Sequence, residues 1–325
     1  MDMMGGGPET KAVFHVTRGP MSLPSFAHDV AWAFAEFVNE ESYKFAATGK
    51  AEYPLVAPEG GKEPLRAEFS AYTMGSDHDV YQDSSFGIPA IYLNDWPDRY
   101  IHTNFDTAAN IDPTKLKRVA FIGAASGYFL ARGTHGVSDS LYAQIFSASI
   151  DRDSQASHRA ENLSPEEIEE ATRQNWNYTS NVAHSTESFF GITDEQASFM
   201  SESLTMYPWR EMLKAAEPKP TASGVGLGKF RRNPAPNGPL AVFGYDYFVD
   251  HAKTAGVATP KLLTYEGLWG GGEEYAYEVL NFADGKRNAQ EIRDAVSAEY
   301  GPVPLEMVVE YLRALEKIGV VEAVK

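Results

Sequence analysis

The sequence predicts an α/β fold for the first part of its 325 residues. Residues 87–93 form a short apolar run that opens with Gly-Ile-Pro, which indicates a buried strand of a sheet. Residues 26–38 carry apolar side chains at helical spacing, and residues 64–73 alternate apolar and polar side chains as a half-buried strand does. Asp112 before Pro113 is typical of a helix start, because the aspartate caps the helix and proline fits its first position.

Four segments of different character follow one another along the chain. Residues 1–137 carry the strand and helix patterns of the α/β part. Residues 138–216 predict a helical region that contains two capping boxes. Proline and glycine are frequent in residues 217–240, which indicates a linker, and residues 241–325 predict a second, smaller domain. The two capping boxes of the helical region begin at Ser164 and Thr193.

The smaller domain is expected to consist of two helices and a strand. A capping box begins at Asn288, residues 304–318 have apolar side chains at helical spacing, and Gly319 ends that helix before a strand at 320–324. This order resembles a winged helix. From Lys261 onward there are 12 acidic and 7 basic residues, which is the opposite of what a helix in a DNA groove needs. We therefore favour protein packing, including a homo-oligomer formed through this domain, over DNA binding.

Composition limits the partners and the chemistry. The formal net charge of −17 argues against nucleic acid and against anionic membrane surfaces as partners. No stretch approaches the roughly 18 consecutive apolar residues of a membrane-spanning helix. The absence of cysteine excludes thiolate ligands, so any metal has to be held by histidine and carboxylate side chains, as zinc can be. The sequence does not fix the cellular compartment of the protein.

Histidine and carboxylate side chains cluster on either side of the apolar run at 87–93. In α/β sheets the chemistry lies in loops beyond the strand ends, and His102 stands in a polar turn just past this predicted strand. A metal-binding histidine usually donates its second N–H to a carboxylate or carbonyl, and Asp106 is placed to accept it. A plain surface histidine is the alternative at His102.

Two separated motifs resemble one family of zinc exopeptidases, metallopeptidase family 28, which includes aminopeptidases Y, bacterial leucyl aminopeptidases and glutaminyl cyclases. The first is the start of the chain, Met-Asp-Met-Met-Gly-Gly, which is similar to the family's Leu-Asp-Met-(Val/Ile)-Gly strand end around Asp2. The second runs from Ser76-Asp77-His78 through Gly-Ile-Pro-Ala to Tyr-Ile-His-Thr-x-x-Asp-Thr around His102. The resemblance covers roughly residues 1–135 and implies part of the hydrolase-like sheet of such enzymes.

The resemblance implies a site with two zinc ions that activate a water for attack on the first peptide bond of a peptide substrate. Asp2 would bind one zinc and His102 the other, and Asp106 would orient His102. Ser76, Asp77 and His78 would line the substrate pocket or support the ligands. A structural role remains open for His78, and Asp77 is more readily explained as a hydrogen-bond acceptor for loop amides.

The sequence departs from the family at its beginning. The family's first histidine ligand, its bridging aspartate and its Glu-Glu pair precede the aspartate motif, whereas only Met1 precedes Asp2 here. We therefore expect the C-terminal part of a longer aminopeptidase, with the general-base glutamate upstream of Met1 and no catalytic residue within the chain, inactive alone. The alternatives are a non-catalytic binding or regulatory remnant and a glutaminyl cyclase-like acyltransferase.

Overall fold

The structure is a computed structural model that describes residues 2–133, 139–190, 224–242 and 244–324. We call residues 2–133 the sheet unit, 139–190 the helical unit and 224–324 the C-terminal unit. The predicted capping box at Thr193 lies outside the described residues. Every described helix is too short or too polar to cross a bilayer.

The sheet unit contains three strands, β1 (Val13–Thr17), β2 (Ala67–Ser70) and β3 (Tyr92–Trp96), in the order β2–β1–β3. The central strand β1 pairs in parallel with β2 and antiparallel with β3. Helix α1 (Ala27–Thr48) and helix α3 (Pro113–Arg132) pack on the sheet, and the short α2 (His78–Gln82) lies between β2 and β3. These elements agree with the α/β fold that the sequence predicts.

The predicted strand at 87–93 begins too early. The observed strand starts at Tyr92, because Gly87 adopts φ +61° and Pro89 lacks an amide hydrogen for pairing. The strand also includes Asn94 and Asp95, which are polar but buried. Asp95 pairs with the Lys115 ammonium at 2.6 Å and accepts a hydrogen bond from the Gly6 amide at 2.8 Å. Burial raises the pKa of Asp95, and Lys115 opposes that rise.

Helix α1 is longer than the predicted 26–38. The apolar pattern fades after Val38, yet no helix-breaking residue follows until Gly49, which ends the helix at φ +72°. The predicted cap of α3 is confirmed, since the Asp112 carboxylate accepts a hydrogen bond from the Thr114 amide at 2.9 Å. Gly49 was therefore the better marker of the helix end than the loss of apolar periodicity.

The helical unit consists of α4 (Asp139–Ala160), α5 (Pro165–His184) and α6 (Thr186–Phe190). Ser164 caps α5 as predicted, because its hydroxyl accepts a hydrogen bond from the Glu167 amide. The reciprocal half of the predicted capping box is absent: the Glu167 carboxylate pairs with Arg293 of the C-terminal unit instead.

The C-terminal unit combines four helices with five short strands. A sheet of order β7–β4–β8 lies beside the helices, and β5 and β6 form a separate pair. The elements in chain order are β4 (Lys229–Arg232), β5 (Ala241–Val242), β6 (Tyr245–Asp246), α7 (Tyr247–Ala255), α8 (Gly272–Asn281), β7 (Asp284–Asn288), α9 (Ala289–Tyr300), α10 (Leu305–Lys317) and β8 (Val321–Val324).

Strand β4 falls within the stretch predicted as a linker. It is nevertheless the central strand of its sheet, and its Phe230 is buried in the core of the unit. The pattern Lys-Phe-Arg-Arg offers one apolar residue between glycines and prolines, which is too little for a strand signal. The capping box at Asn288 is confirmed in both directions. The winged-helix-like domain stays a prediction. It was based on the order helix, helix, strand, whereas the central strand β4 precedes the four described helices of this unit.

The C-terminal unit packs on residues 72–85 of the sheet unit, which we call the 72–85 segment. The rings of Tyr72 and Tyr277 stack with 5.6 Å between their centroids, and the Tyr277 hydroxyl donates to the Asp79 carbonyl at 2.8 Å. The Arg232 guanidinium lies 2.7 Å from the Asp83 carboxylate, which is fully buried. The two units therefore share buried polar contacts as well as an apolar core.

Two further buried carboxyls, Glu278 and Glu299, bind the turn before α1. The Ser22 hydroxyl donates to Glu278 at 2.6 Å, and the Met21 amide donates to Glu299 at 3.2 Å. Burial raises the pKa of both, and the neighbouring Glu278 raises that of Glu299 further. The two carboxyls influence each other, and burial makes each of them keep its proton to a higher pH than an ordinary glutamate.

Replacing Arg232 by Met should lower the free energy of unfolding by about 3–5 kcal/mol, because the buried Asp83 carboxylate loses its charge partner. The matched control is Arg231→Met, whose exposed side chain lies 3.6 Å from Glu322 and should change stability by about 0.5 kcal/mol or less. Chemical denaturation of both variants measures the difference. Equal stabilities would contradict the buried contact.

Replacing Glu299 by Gln should stabilise the protein progressively as pH rises. The unfolded carboxyl loses its proton near pH 4.3, whereas the folded one keeps it to higher pH, so wild-type stability falls as pH rises through the raised folded pKa. Glutamine has no proton to lose. Tm measured from pH 5 to pH 8 should show a growing difference, variant minus wild type. For the exposed control Glu59→Gln this difference should not change with pH. A difference that stays constant with pH for both variants would refute the raised pKa of Glu299.

Candidate functional site

The Asp79 side chain stabilises the loop that leads from β2 into α2. Its carboxylate accepts a hydrogen bond from the Tyr72 hydroxyl at 2.7 Å and another from the Gly75 amide at 2.8 Å. Gly75 adopts φ +128°, which L side chains rarely reach, so the turn requires glycine there. Together these contacts fix the position of the next residue, Ser76.

Ser76 meets the start of the chain. Its hydroxyl donates to the Asp2 carboxylate at 2.9 Å, across 74 residues of sequence. Asp2 is held there because its amide donates to the Leu93 carbonyl, and the Asp95 amide donates to the Met3 carbonyl. The two motifs singled out in the sequence are therefore in direct contact at the beginning of β3.

His78 is buried beneath this contact. Its ring stacks on Tyr92 with 3.9 Å between centroids, and its Nε2 lies 2.8 Å from the Thr73 carbonyl, which fixes the proton on Nε2. Nδ1 is buried without a hydrogen-bond partner in the described part of the chain. Burial lowers the pKa of His78, so the imidazole is neutral at neutral pH. Burial, with Asp2 and then Asp79, raises the pKa of Tyr92 to about 12.

Asp77 does not do what the sequence suggested. Its side chain is exposed and forms no capping hydrogen bond, although the residue stands at the N-cap of α2. In this loop the Gly75 amide donates to the Asp79 carboxylate. The interpretation of Asp77 as an acceptor for loop amides is therefore wrong, and its carboxylate is free to face the solvent.

His102 lies on the loop that follows β3. It is exposed and adopts φ +59°, an uncommon conformation for a residue other than glycine that costs backbone energy and is enriched at functional sites. Asp106 is also exposed, and its amide donates to the Thr103 carbonyl. Among the described residues no hydrogen bond joins the side chains of His102 and Asp106.

The contacts of Asp2 and those of the His102 loop lie at different ends of β3. Asp2 hydrogen-bonds at Leu93, whereas the loop is tied down beyond Trp96, where the Arg99 amide donates to the Thr10 carbonyl at 3.1 Å. The part of the chain that the structure describes contains no group of three or more histidine, aspartate or glutamate side chains placed to hold a metal ion. Since zinc sites use three or four protein ligands, the described residues alone do not fit zinc.

An open cleft of about 1130 Å³ separates the Ser76 loop from the C-terminal unit. One wall comes from the loop and includes Ser76 and Asp77. The opposite wall includes Asp246, Glu273 and Glu274. The Ser76–Asp2 contact therefore borders a cleft with carboxylates on both walls, large enough for several residues of a peptide.

Residues 2–126 match the model of peptidase family M28. This span includes Asp2, Ser76 and His102 and agrees with the resemblance that the two motifs predicted. The match supports membership of this part of the chain in the M28 metallopeptidase family, whose members are generally zinc-dependent peptidases. Comparison with curated proteins and with solved structures gave no match.

Sequence reasoning missed Asp79 and its two tyrosine partners. The only local signal for Asp79 was a carboxylate four residues after a glycine, a spacing that suits a turn. Tyr72 has no signal of its own, and Tyr277 lies almost 200 residues further along the chain. These three residues position the loop that carries Ser76, although none of them belongs to a motif.

Replacing Asp79 by Asn should lower the free energy of unfolding by about 1.5–3 kcal/mol, because the amide cannot accept both the Tyr72 and Gly75 hydrogen bonds as the carboxylate does. The control Asp77→Asn changes the exposed carboxylate two residues earlier and should cost little. Urea denaturation followed by tryptophan fluorescence measures both. A cost at Asp77 equal to that at Asp79 would be inconsistent with this account of the loop.

Proposed function

We propose that the chain binds the N-terminal segment of peptides in the cleft beside Ser76, as the peptide-binding part of a metal-dependent aminopeptidase. One observation carries the proposal: Ser76 and Asp2, from two separate motifs within the M28-matched span, are in direct contact at the edge of that cleft. Asp2 would bind one metal ion and His102 a second, and Asp106, Asp77 and His78 would support them or contact the substrate.

The charge of the cleft supports a substrate with a free α-amine. An α-amino group with a pKa of about 8 is cationic at neutral pH, and carboxylates on both cleft walls attract it. The exposed Asp77 on one wall and Glu273 on the other are free to solvate such a group. A peptide whose N-terminus is acetylated has no charge there and would bind more weakly.

The described residues supply Asp2 and His102 as single donors and no complete zinc site. Because catalytic zinc takes three protein ligands and a water, we propose that hydrolysis depends on ligands outside the described residues. The general base and the donor groups for two tightly bound zinc ions would likewise lie outside the described residues. Within the described residues, Ser76 would bind the peptide and Asp79 would orient the loop that carries Ser76. Neither residue would transfer a proton.

A second candidate is a non-catalytic peptide-binding or regulatory protein. The lack of a metal-binding group among the described residues favours it, together with the packing of the C-terminal unit on the 72–85 segment. A glutaminyl cyclase-like activity would be distinguished by cyclisation of an N-terminal glutamine in place of peptide-bond hydrolysis.

Zinc titration by calorimetry, with hydrolysis of aminoacyl-nitroanilides, tests the proposal. The aminopeptidase assignment predicts weak zinc binding, with less than one tightly held ion per chain. Asp2→Asn and His102→Gln should each weaken zinc affinity by about tenfold, because each variant loses one ligand interaction. The control His251→Gln, whose imidazole hydrogen-bonds the Tyr247 carbonyl, should bind zinc like the wild type.

The outcomes separate the candidates. Zinc binding that none of the three variants changes would reject Asp2 and His102 as ligands and leave the second candidate. Two tightly bound zinc ions with turnover would show that the chain holds a complete site, contrary to the dependence on ligands outside the described residues. Free and acetylated peptides of the same sequence, compared in the same calorimeter, measure the preference for a free α-amine.

A further inference from the structure

A small, partly enclosed pocket lies where the sheet unit, the helical unit and the C-terminal unit meet. Its volume is about 50 Å³, and its lining includes Arg18 of the sheet unit, Arg152 and Arg159 of α4, and Glu299 of α9. A buried water needs roughly 10–15 Å³, so the pocket has space for a few waters or one small polyatomic ion. It is separate from the cleft beside Ser76 and shares no lining residue with it.

Arg152 has hydrogen-bonding capacity that no described residue uses. Its side chain is 1% exposed, and its Nη1 pairs with the buried carboxylate of Asp29. Nε and Nη2 are buried and have no partner in the described part of the chain. A buried guanidinium with two unpaired nitrogens is costly, because water no longer hydrates the donors that folding has buried.

Arg18 and Arg159 bring two more positive charges to the same pocket. Arg18 is half-buried, and it donates through Nε to the Ser70 carbonyl and through Nη2 to Gln155 Oε1 at 3.3 Å. Burial lowers the pKa of Arg18 to about 10, and Arg152 and Arg159 contribute, yet the group stays charged at neutral pH. Within the described residues neither Arg18 nor Arg159 forms an ion pair; the Arg159 guanidinium lies over the Trp269 ring at 5.5 Å.

The charges around the pocket do not cancel. Three guanidinium groups face at most two carboxylates. Asp29 pairs with Arg152, and burial and the neighbouring Glu278 raise the pKa of Glu299. The pocket therefore carries a net positive charge of at least one, inside a chain whose formal charge is −17. Such a local excess of buried positive charge is what an anion would neutralise.

We propose that this pocket binds one small oxyanion, a phosphate or a carboxylate group, between Arg18, Arg152 and Arg159. Guanidinium groups present paired N–H donors that match the oxygens of either group, and the free Nε and Nη2 of Arg152 are such a pair. The small volume favours a small anion. Because all three units line the pocket, a bound anion stabilises their packing by binding only to the folded protein.

The test compares wild type with Arg159→Gln and with the control Arg66→Gln, whose side chain is exposed and away from the pocket. Arg159 is chosen because it is half-buried, whereas Arg152 is fully buried and Arg18 forms hydrogen bonds with Ser70 and Gln155, so that loss of either threatens folding. Tm and calorimetric binding are measured with inorganic phosphate and, separately, with acetate, at constant ionic strength. We expect saturable binding and a rise in Tm for the wild type and for Arg66→Gln. In Arg159→Gln the affinity for the anion should fall by about tenfold, because one charge-assisted contact is lost.

A second variant keeps the proposal testable if Arg159→Gln folds poorly. Gln155→Glu places a carboxylate beside Arg18, so it should raise Tm in anion-free buffer and remove the response to added anion. A stronger response to phosphate than to acetate identifies a tetrahedral ligand, and the reverse identifies a carboxylate. A rise in Tm that is equal in all chains or does not saturate is a general salt effect and overturns the proposal, as does the absence of any response.

Discussion

Two buried carboxylates, those of Asp79 and Asp83, constrain the segment on which the rest of the structure depends. A buried charge has to be paired or hydrogen-bonded, and this segment is too short to supply every partner itself. Asp79 binds Tyr72 and Gly75 within the segment, whereas Asp83 takes its charge partner, Arg232, from the C-terminal unit. The loop that carries the candidate peptide-binding residues is therefore positioned by a unit outside the M28-matched span, and binding and packing are parts of one arrangement.

Local chemistry made the helices predictable. Caps at Asp112 and Asn288 depend on side chains within a few residues of the amides they bind, so the sequence displays them directly. Strand positions depended on partners far along the chain. The apolar run at 87–93 indicated a strand that starts at Tyr92, and β4 (Lys229–Arg232) was hidden because only its Phe230 contributes to a core. Pairing with β7 and β8, from 50 to 90 residues further on, makes that segment a strand.

The candidate site was visible in part. The motifs around Asp2 and Ser76 pointed to the M28 family, and the structure brings these two residues into contact. The sequence also placed His102 beside a strand end, but it could not show whether that loop turns toward Asp2, since this depends on how residues 97–107 are tied to the rest of the sheet unit. Arg152 carried no signal, because an arginine within a polar helix pattern is normally exposed and becomes a buried charge only when three units pack around it.

We expect the 72–85 segment and the C-terminal unit to unfold in one cooperative step. Native-state hydrogen exchange of the full chain at increasing denaturant tests it directly, because it reports which amides become exposed in the same cooperative step. The amides of Val80 and Asp83, both hydrogen-bonded to backbone carbonyls, should lose protection at the same denaturant concentration as those of α8 (Gly272–Asn281). Loss of protection in the segment at low denaturant, while α8 remains protected, would contradict the account.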